Sequence, residues 1–171
     1  MTTVNPRPFT LGEAVRHALQ ALDMLGPESG VQQSPGAPTS REAALVQTLQ
    51  AILGAFNTRD LDRVLGFFAD DCVLEMHYGT APWGSRYVGK DAVRHGLRTY
   101  FNATPELHYG DDTHFVVGDL GVSKWTLRAT SAKGERIEAR GCDFYTFRDG
   151  KIVEKDSYLK ARDNNSPRTG R

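Results

Sequence analysis

One acidic residue, Asp143, sits inside an otherwise apolar and aromatic run, Gly141-Cys142-Asp143-Phe144-Tyr145-Thr146-Phe147. Strand interiors are depleted in aspartate, and a carboxylate buried without a partner costs several kcal/mol or takes up a proton. Two-residue alternation along Ile137, Ala139, Gly141, Asp143, Tyr145 and Phe147 puts the acid on the face that should line the interior. A carboxyl group held dry in this way can keep its proton, and so donate a hydrogen bond or act as an acid. Its neighbour depends on the turn at Asp149-Gly150. A two-residue turn sets Asp143 opposite Asp156, a like charge. A three-residue turn with a glycine bulge sets it opposite Lys155, an ion-pair partner, with Lys155, Ser157 and Leu159 inward. Both registers stay open at this level.

His77 closes the first predicted strand, where an imidazole can exchange a proton near neutral pH. His108 and His114 lie on one predicted strand and one face, roughly 20 Å apart at about 3.3 Å per residue, too far to share a metal. No metal site is expected. Trp125 and Tyr145 read as walls of the interior, joined by Met76, Ser157, Ile52 and Tyr100, and Trp83 in the Ala-Pro-Trp-Gly loop reads as a lid. Cys72 and Cys142 have no partners at catalytic or metal spacing and read as small buried side chains.

The elements that must hold these groups follow from periodicity. Thr39 and Glu42 form a capping box ahead of a stripe of Ala44, Leu45, Leu49, Ile52, Leu53 and Phe56, which predicts a long amphipathic helix. A short helix over 61–68, a strand over 72–77, a glycine-rich loop over 78–89 and a helix over 90–103 follow. Four strands then span about 107–117, 121–130, 135–148 and 151–161, with Gly118-Asp119 region, Lys133-Gly134 and Asp149-Gly150 as tight turns. No proline occurs between Pro105 and Pro167, so nothing there forbids central strands. Gly110 and Gly141 mark places where long strands bend. Helices followed by a hairpin meander predict an α+β fold, a curved antiparallel sheet wrapped as a cone around three helices, with an internal cavity. Residues 10–25 predict a separate helix, 26–38 a linker, 39–161 the main domain and 162–171 a disordered tail.

Composition narrows the classes. Lys and Arg total 21 and Asp and Glu total 21 of 171 residues, a formal charge of zero, whereas nucleic-acid binders carry a basic excess. No stretch approaches the roughly 18 apolar residues of a membrane span, and the N-terminus lacks a signal-peptide pattern. The expectations are a cytoplasmic chain with neither nucleic-acid nor membrane partner, and no organic cofactor, since no glycine loop opens a helix after a strand.

Three stretches, AFNTRDLDRVLGFFADDCVLEMH, YVGKDAVRHGL and RGCDFYTFRDGKIVEKDSYLK, resemble the nuclear-transport-factor-like superfamily, and within it the SnoaL-like polyketide cyclases and ketosteroid isomerases. The resemblance covers about residues 41–161. It implies a cystatin-like cone, a homodimer through the outer sheet face, and an apolar or aromatic small-molecule ligand. Position by position, the isomerases' acidic donor falls on Asp143, their general base on Met76 and their oxyanion tyrosine on Ile52, so one of the three matches. The epoxide-hydrolase pattern falls on Ser123-Lys124-Trp125 and Ser157 and does not match. In an isomerase, cyclase or dehydratase Asp143 is the expected donor or general acid–base, with Lys155 as its electrostatic partner and His77 as a second proton carrier. A non-catalytic binding or dimerisation module of the same fold is the alternative.

Overall fold

The computed structural model describes residues 38–131 and 134–160. The expected helix over 10–25, the linker up to residue 37 and the tail over 162–171 lie outside the described residues. Helix α1 (Ser40–Thr58) begins at the capping box: Thr39 N–H donates to Glu42 Oε2 at 2.9 Å, and Glu42 N–H donates to Thr39 Oγ1 at 3.2 Å. The second oxygen of Glu42 accepts from Gly118 N–H at 2.9 Å, which ties the helix start to a distant hairpin. Leu45, Leu49, Ile52, Leu53 and Phe56 form its buried stripe.

Helix α2 (Leu61–Leu65) is capped by Asp60, and strand β1 covers Phe68–Glu75. The short helix is thus shorter, and the strand earlier, than periodicity predicts. Phe68 already pairs with Ile152, and a parallel partner more than 80 residues away leaves no local trace in the sequence. Met76 and His77 therefore follow the strand rather than end it. Strand β2 (Arg86–Val88) lies in the predicted loop, and α3 (Lys90–Ala103) occupies the predicted span. Strands β3 (His108–Val117), β4 (Leu120–Thr130), β5 (Arg136–Arg148) and β6 (Lys151–Leu159) complete the sheet.

Its order is β2-β1-β6-β5-β4-β3, antiparallel throughout except for the β1–β6 pair. This is an α+β fold with a six-stranded mixed sheet, and the inner face of the sheet and the three helices share one core. No helix among the described residues is long and apolar enough to cross a membrane.

Three details set the interior. The β5–β6 turn is the two-residue type, with Asp149 at φ 52° and Gly150 at φ 74°, the left-handed pair that tight hairpins require. Arg148 pairs with Lys151, but Val153 is then an extra residue on β6, so Thr146 pairs with Glu154 and Asp143 with Ser157. Neither register considered from the sequence holds: Asp143 faces neither Asp156 nor Lys155 directly. Lys155 lies diagonally next to it on the same inner face. A second bulge, between Gly110 and Thr113 with Asp111 at φ 51°, reverses the sidedness of β3. His108 pairs with the exposed Arg128 and His114 with the buried Ser123, so the two histidines sit on opposite faces, not on one. At Gly141, by contrast, pairing with β4 is unbroken. Glycine is needed there because a Cβ would collide with the Trp125 ring and the Tyr158 carbonyl.

Candidate functional site: a buried ion pair behind a narrow interior

Asp143 and Lys155 are 3% and 6% exposed. Lys155 Nζ donates to Asp143 Oδ1 at 2.6 Å and to Ser157 Oγ at 2.7 Å. Asp143 Oδ2 accepts from Trp125 Nε1 at 2.9 Å and from the Tyr145 hydroxyl at 3.1 Å. Ammonium and indole N–H can only donate, so Asp143 works here as an acceptor for three donors. The sequence-level expectation of an interior carboxylic acid donating a hydrogen bond is replaced by a carboxylate that fixes a cation. Aromatic faces complete the setting, with Nζ 5.6 Å from the ring centroids of both Phe56 and Tyr145.

An ammonium carries three protons, and two are committed to Asp143 and Ser157. The third has no acceptor among the described residues. Lys155 and Ser157 line a small interior space together with Phe56, Leu74, Met76, His77, Leu97, Tyr100, Tyr109 and Trp125. Its free volume is about 10 Å3, room for one water at most. The expected roomy cavity is therefore absent in this state, because aromatic side chains from α1, α3 and β3 fill the hollow. Ile52 is buried in the core, and Tyr145 and Asp143 stand behind the lining rather than in it.

A wider groove of about 370 Å3 adjoins this space, and the two share Met76, His77 and Ser157. Trp83, largely exposed, forms part of the groove with Pro82, Tyr158 and Leu159. The groove wall is shaped by the 78–85 loop, where Gly84 N–H and Ser85 N–H bond back to Ala81 and Tyr78 carbonyls.

The titratable groups of the interior are shifted in a consistent sense. Burial holds the His77 imidazole below its usual range, and the Lys155 charge pushes it the same way against a smaller opposing effect of Asp143. His77 is consequently neutral at pH 7, and its ring packs edge-on against Tyr78 and Tyr100. Tyr100 and Tyr109 share one hydrogen bond of 2.9 Å between their hydroxyls. Burial raises the Tyr100 phenol to about 12 and the Tyr109 phenol well above its ordinary value. Both phenols keep their protons, and one of the two protons remains uncommitted.

The structure brings together Lys155, His77, Ser157, Met76, Trp125 and Tyr100 around one space, places Asp143 and Tyr145 directly behind it, and leaves Ile52 apart. It adds Tyr109, Phe56 and Ser123, which sequence reading did not single out as site residues. Tyr109 was legible only as the partner of Tyr100, a pairing of β3 with α3 that alternation does not reveal.

Comparison with known proteins places this architecture. Among solved structures, a protein of Xanthomonas campestris pv. campestris provisionally named a polyketide cyclase superposes with a TM-score of 0.64 at 21% identity, covering 71% of this chain and 93% of its own. A Bacillus subtilis protein provisionally named an isomerase gives 0.61 at 17% identity, covering 69% and 87%. An NTF2-like protein of unknown function from Mesorhizobium loti gives 0.60 at 26% identity, covering 73% and 98%. No curated protein matches the sequence. A family model, the SnoaL-like domain, matches residues 46–155. With this match over residues 46–155, most of the described residues, and the superpositions above, the chain belongs to the SnoaL-like domain family and has an NTF2-like fold.

Proposed function

We propose that this protein is a cofactor-independent acid–base enzyme of the isomerase, cyclase or dehydratase kind, acting on an apolar, carbonyl-bearing compound. One observation carries the reading: a buried ammonium with an uncommitted N–H shares an interior with a neutral imidazole. His77 removes a proton from the carbon next to the carbonyl, and the Lys155 N–H meets the oxyanion that develops. The spare phenol proton of the Tyr100–Tyr109 pair is a second donor. His77 then returns its proton to a different carbon, which isomerises the substrate. Alternatively the enolate attacks a second carbonyl and closes a ring, the new alkoxide taking the imidazolium proton, or it expels a hydroxyl that leaves with that proton as water. Asp143 is a positioning residue that holds Lys155 in place. The body of the substrate occupies the wider groove beside Trp83, which shares Met76, His77 and Ser157 with the interior, and only its carbonyl oxygen enters the space that one water fills.

The test is deuterium uptake from D2O at the α-carbon of polycyclic ketones, followed by NMR. His77→Gln should slow uptake by about 100-fold or more, and Lys155→Met by a comparable factor. Uptake unchanged in both variants overturns the assignment. The narrow interior of about 10 Å3 favours a second reading, a binding module without turnover. Ligand-dependent melting with no deuterium uptake by the native chain supports that one.

We infer a second copy of this chain as the partner of the outer sheet face. Two shallow apolar hollows of about 390 and 410 Å3 flank Phe115 and Val122. Glu154 and Asp156 border one, and Lys124, Arg140 and Lys160 border the other. A two-fold axis between them sets each basic end against an acidic end. Sedimentation of the native chain as a monomer at micromolar concentration overturns this assignment.

A further inference from the structure

Ser157 holds a proton that the buried pair does not use. The extra residue on β6 sets Ser157 opposite Asp143, on the inner face and only 7% exposed. Its Oγ accepts from Lys155 Nζ at 2.7 Å. An ammonium only donates, so the Ser157 hydroxyl keeps its own proton for another acceptor. Among the described residues there is no such acceptor. Holding Lys155 accounts for the oxygen of Ser157 but not for its proton, and a buried donor left unpaired is costly. Ser157 borders both the inner space and the wider groove, whereas Lys155 borders the inner space alone. The two donors therefore stand at different depths along one path.

We propose that Ser157 determines specificity: its hydroxyl donates to a second oxygen of the substrate, held in the groove, while the carbonyl oxygen sits on Lys155. For the place of the first oxygen this rests on the acid–base reading.

Bond directions set how far apart the two oxygens must be. The third proton of Nζ points away from its bonds to Asp143 and Ser157, at about the tetrahedral angle. The Ser157 proton points away from Nζ at a similar angle. With Nζ and Oγ 2.7 Å apart, acceptors about 2.8 Å beyond each of them lie about 4.5–7 Å from one another. One oxygen cannot serve both donors. The substrate class is thus a ketone with a second oxygen acceptor at that distance (carbonyl, ether or hydroxyl), on an apolar body that rests against Met76, Pro82, Trp83 and Leu159. A ketone without the second oxygen leaves the Ser157 donor unpaired and binds less well.

The test compares two ketones of equal size, 4-methoxy-1-tetralone and 4-ethyl-1-tetralone. The two oxygens of the first lie within the required range across the ring, and its ether oxygen can only accept. In NMR titrations the native full-length chain should bind the methoxy ketone about tenfold more tightly than the ethyl ketone. Ser157→Ala should abolish the preference. Ser157→Cys, whose thiol is only a weak donor, should lose most of it and stands in if the alanine variant does not fold. Equal affinities in the native chain overturn the proposal, as does a methoxy ketone that fails to bind at millimolar concentration. A preference that survives in Ser157→Ala also overturns it. So does loss of both ligands together in that variant, because the hydroxyl then serves only to hold Lys155.

Deuterium uptake from D2O next to the carbonyl of the same two ketones separates this subsite from the chemistry. A preference that depends on Ser157, without uptake by the native chain, leaves the subsite standing and removes the acid–base reading. Uptake that depends on His77, without a preference, does the reverse.

Discussion

The two faces of the central strands invert the usual distribution of side chains. On the inner face of β4, β5 and β6, Ser123, Asp143, Lys155 and Ser157 are buried and hydrogen-bonded. On the outer face of the same strands and of β3, Phe115, Phe144 and Tyr158 are 55%, 50% and 54% exposed. Buried charge and exposed apolar surface are the two deviations that carry information, since each is costly unless used. Inside, no buried side-chain nitrogen or oxygen among the described residues lacks a hydrogen-bond partner. Outside, the apolar side chains lack contacts that only another surface can supply. The inner face answers to chemistry, the outer face to association, and alternation along one strand serves both.

Changes on the inner face should therefore unfold the protein, and changes on the outer face should only separate copies. The largest effect belongs to Lys155→Met, which leaves the Asp143 charge buried without its cation and should cost about 3–5 kcal/mol in urea denaturation. Adding Asp143→Leu should recover most of that loss, and a double variant no better than the single one would break the comparison. Gly141→Ala comes next, because the new methyl meets the Trp125 ring and a strand carbonyl; overpacking of this kind costs about 1–3 kcal/mol by the same measurement.

A smaller effect is set by pH. The folded-state proton affinity of His77 is lowered, so the unfolded chain binds a proton more readily than the folded one. The contribution of His77 is thus fully present above the unfolded value of about 6.5 and is lost as pH falls below it. Stability curves between about pH 5 and 7 should slope less steeply for His77→Gln than for the native chain. The smallest change in stability is expected for Phe144→Glu, within about 0.5 kcal/mol. Sedimentation should nonetheless show its association weakened, which sharpens the contrast between the faces.

Much of the architecture was legible because local rules govern it. The Thr39–Glu42 capping box, the helix over 90–103 and the left-handed pair at Asp149-Gly150 depend on neighbours within four residues. Asp143 stood out because its type conflicts with its surroundings, whereas the inward side of Lys155 and Ser157 depended on a register that the residues left open. What failed was register and sidedness. The extra residue at Val153 and the bulge at Gly110–Thr113 respond to strand twist and to the partner strand, and nothing local announces them. Those two shifts decide that Asp143 meets Ser157, and that His114 turns inward to Ser123.

Residue order alone determined the class of fold, the hairpins, and the presence of a charged residue where an apolar one belongs. Only the folded chain decided which cation pairs with that charge, how little space remains beside it, and which histidine shares its interior. The reason is range: turns and caps are settled by a few adjacent dihedrals and hydrogen bonds, whereas a buried pair and the volume around it arise where four distant segments close on one another.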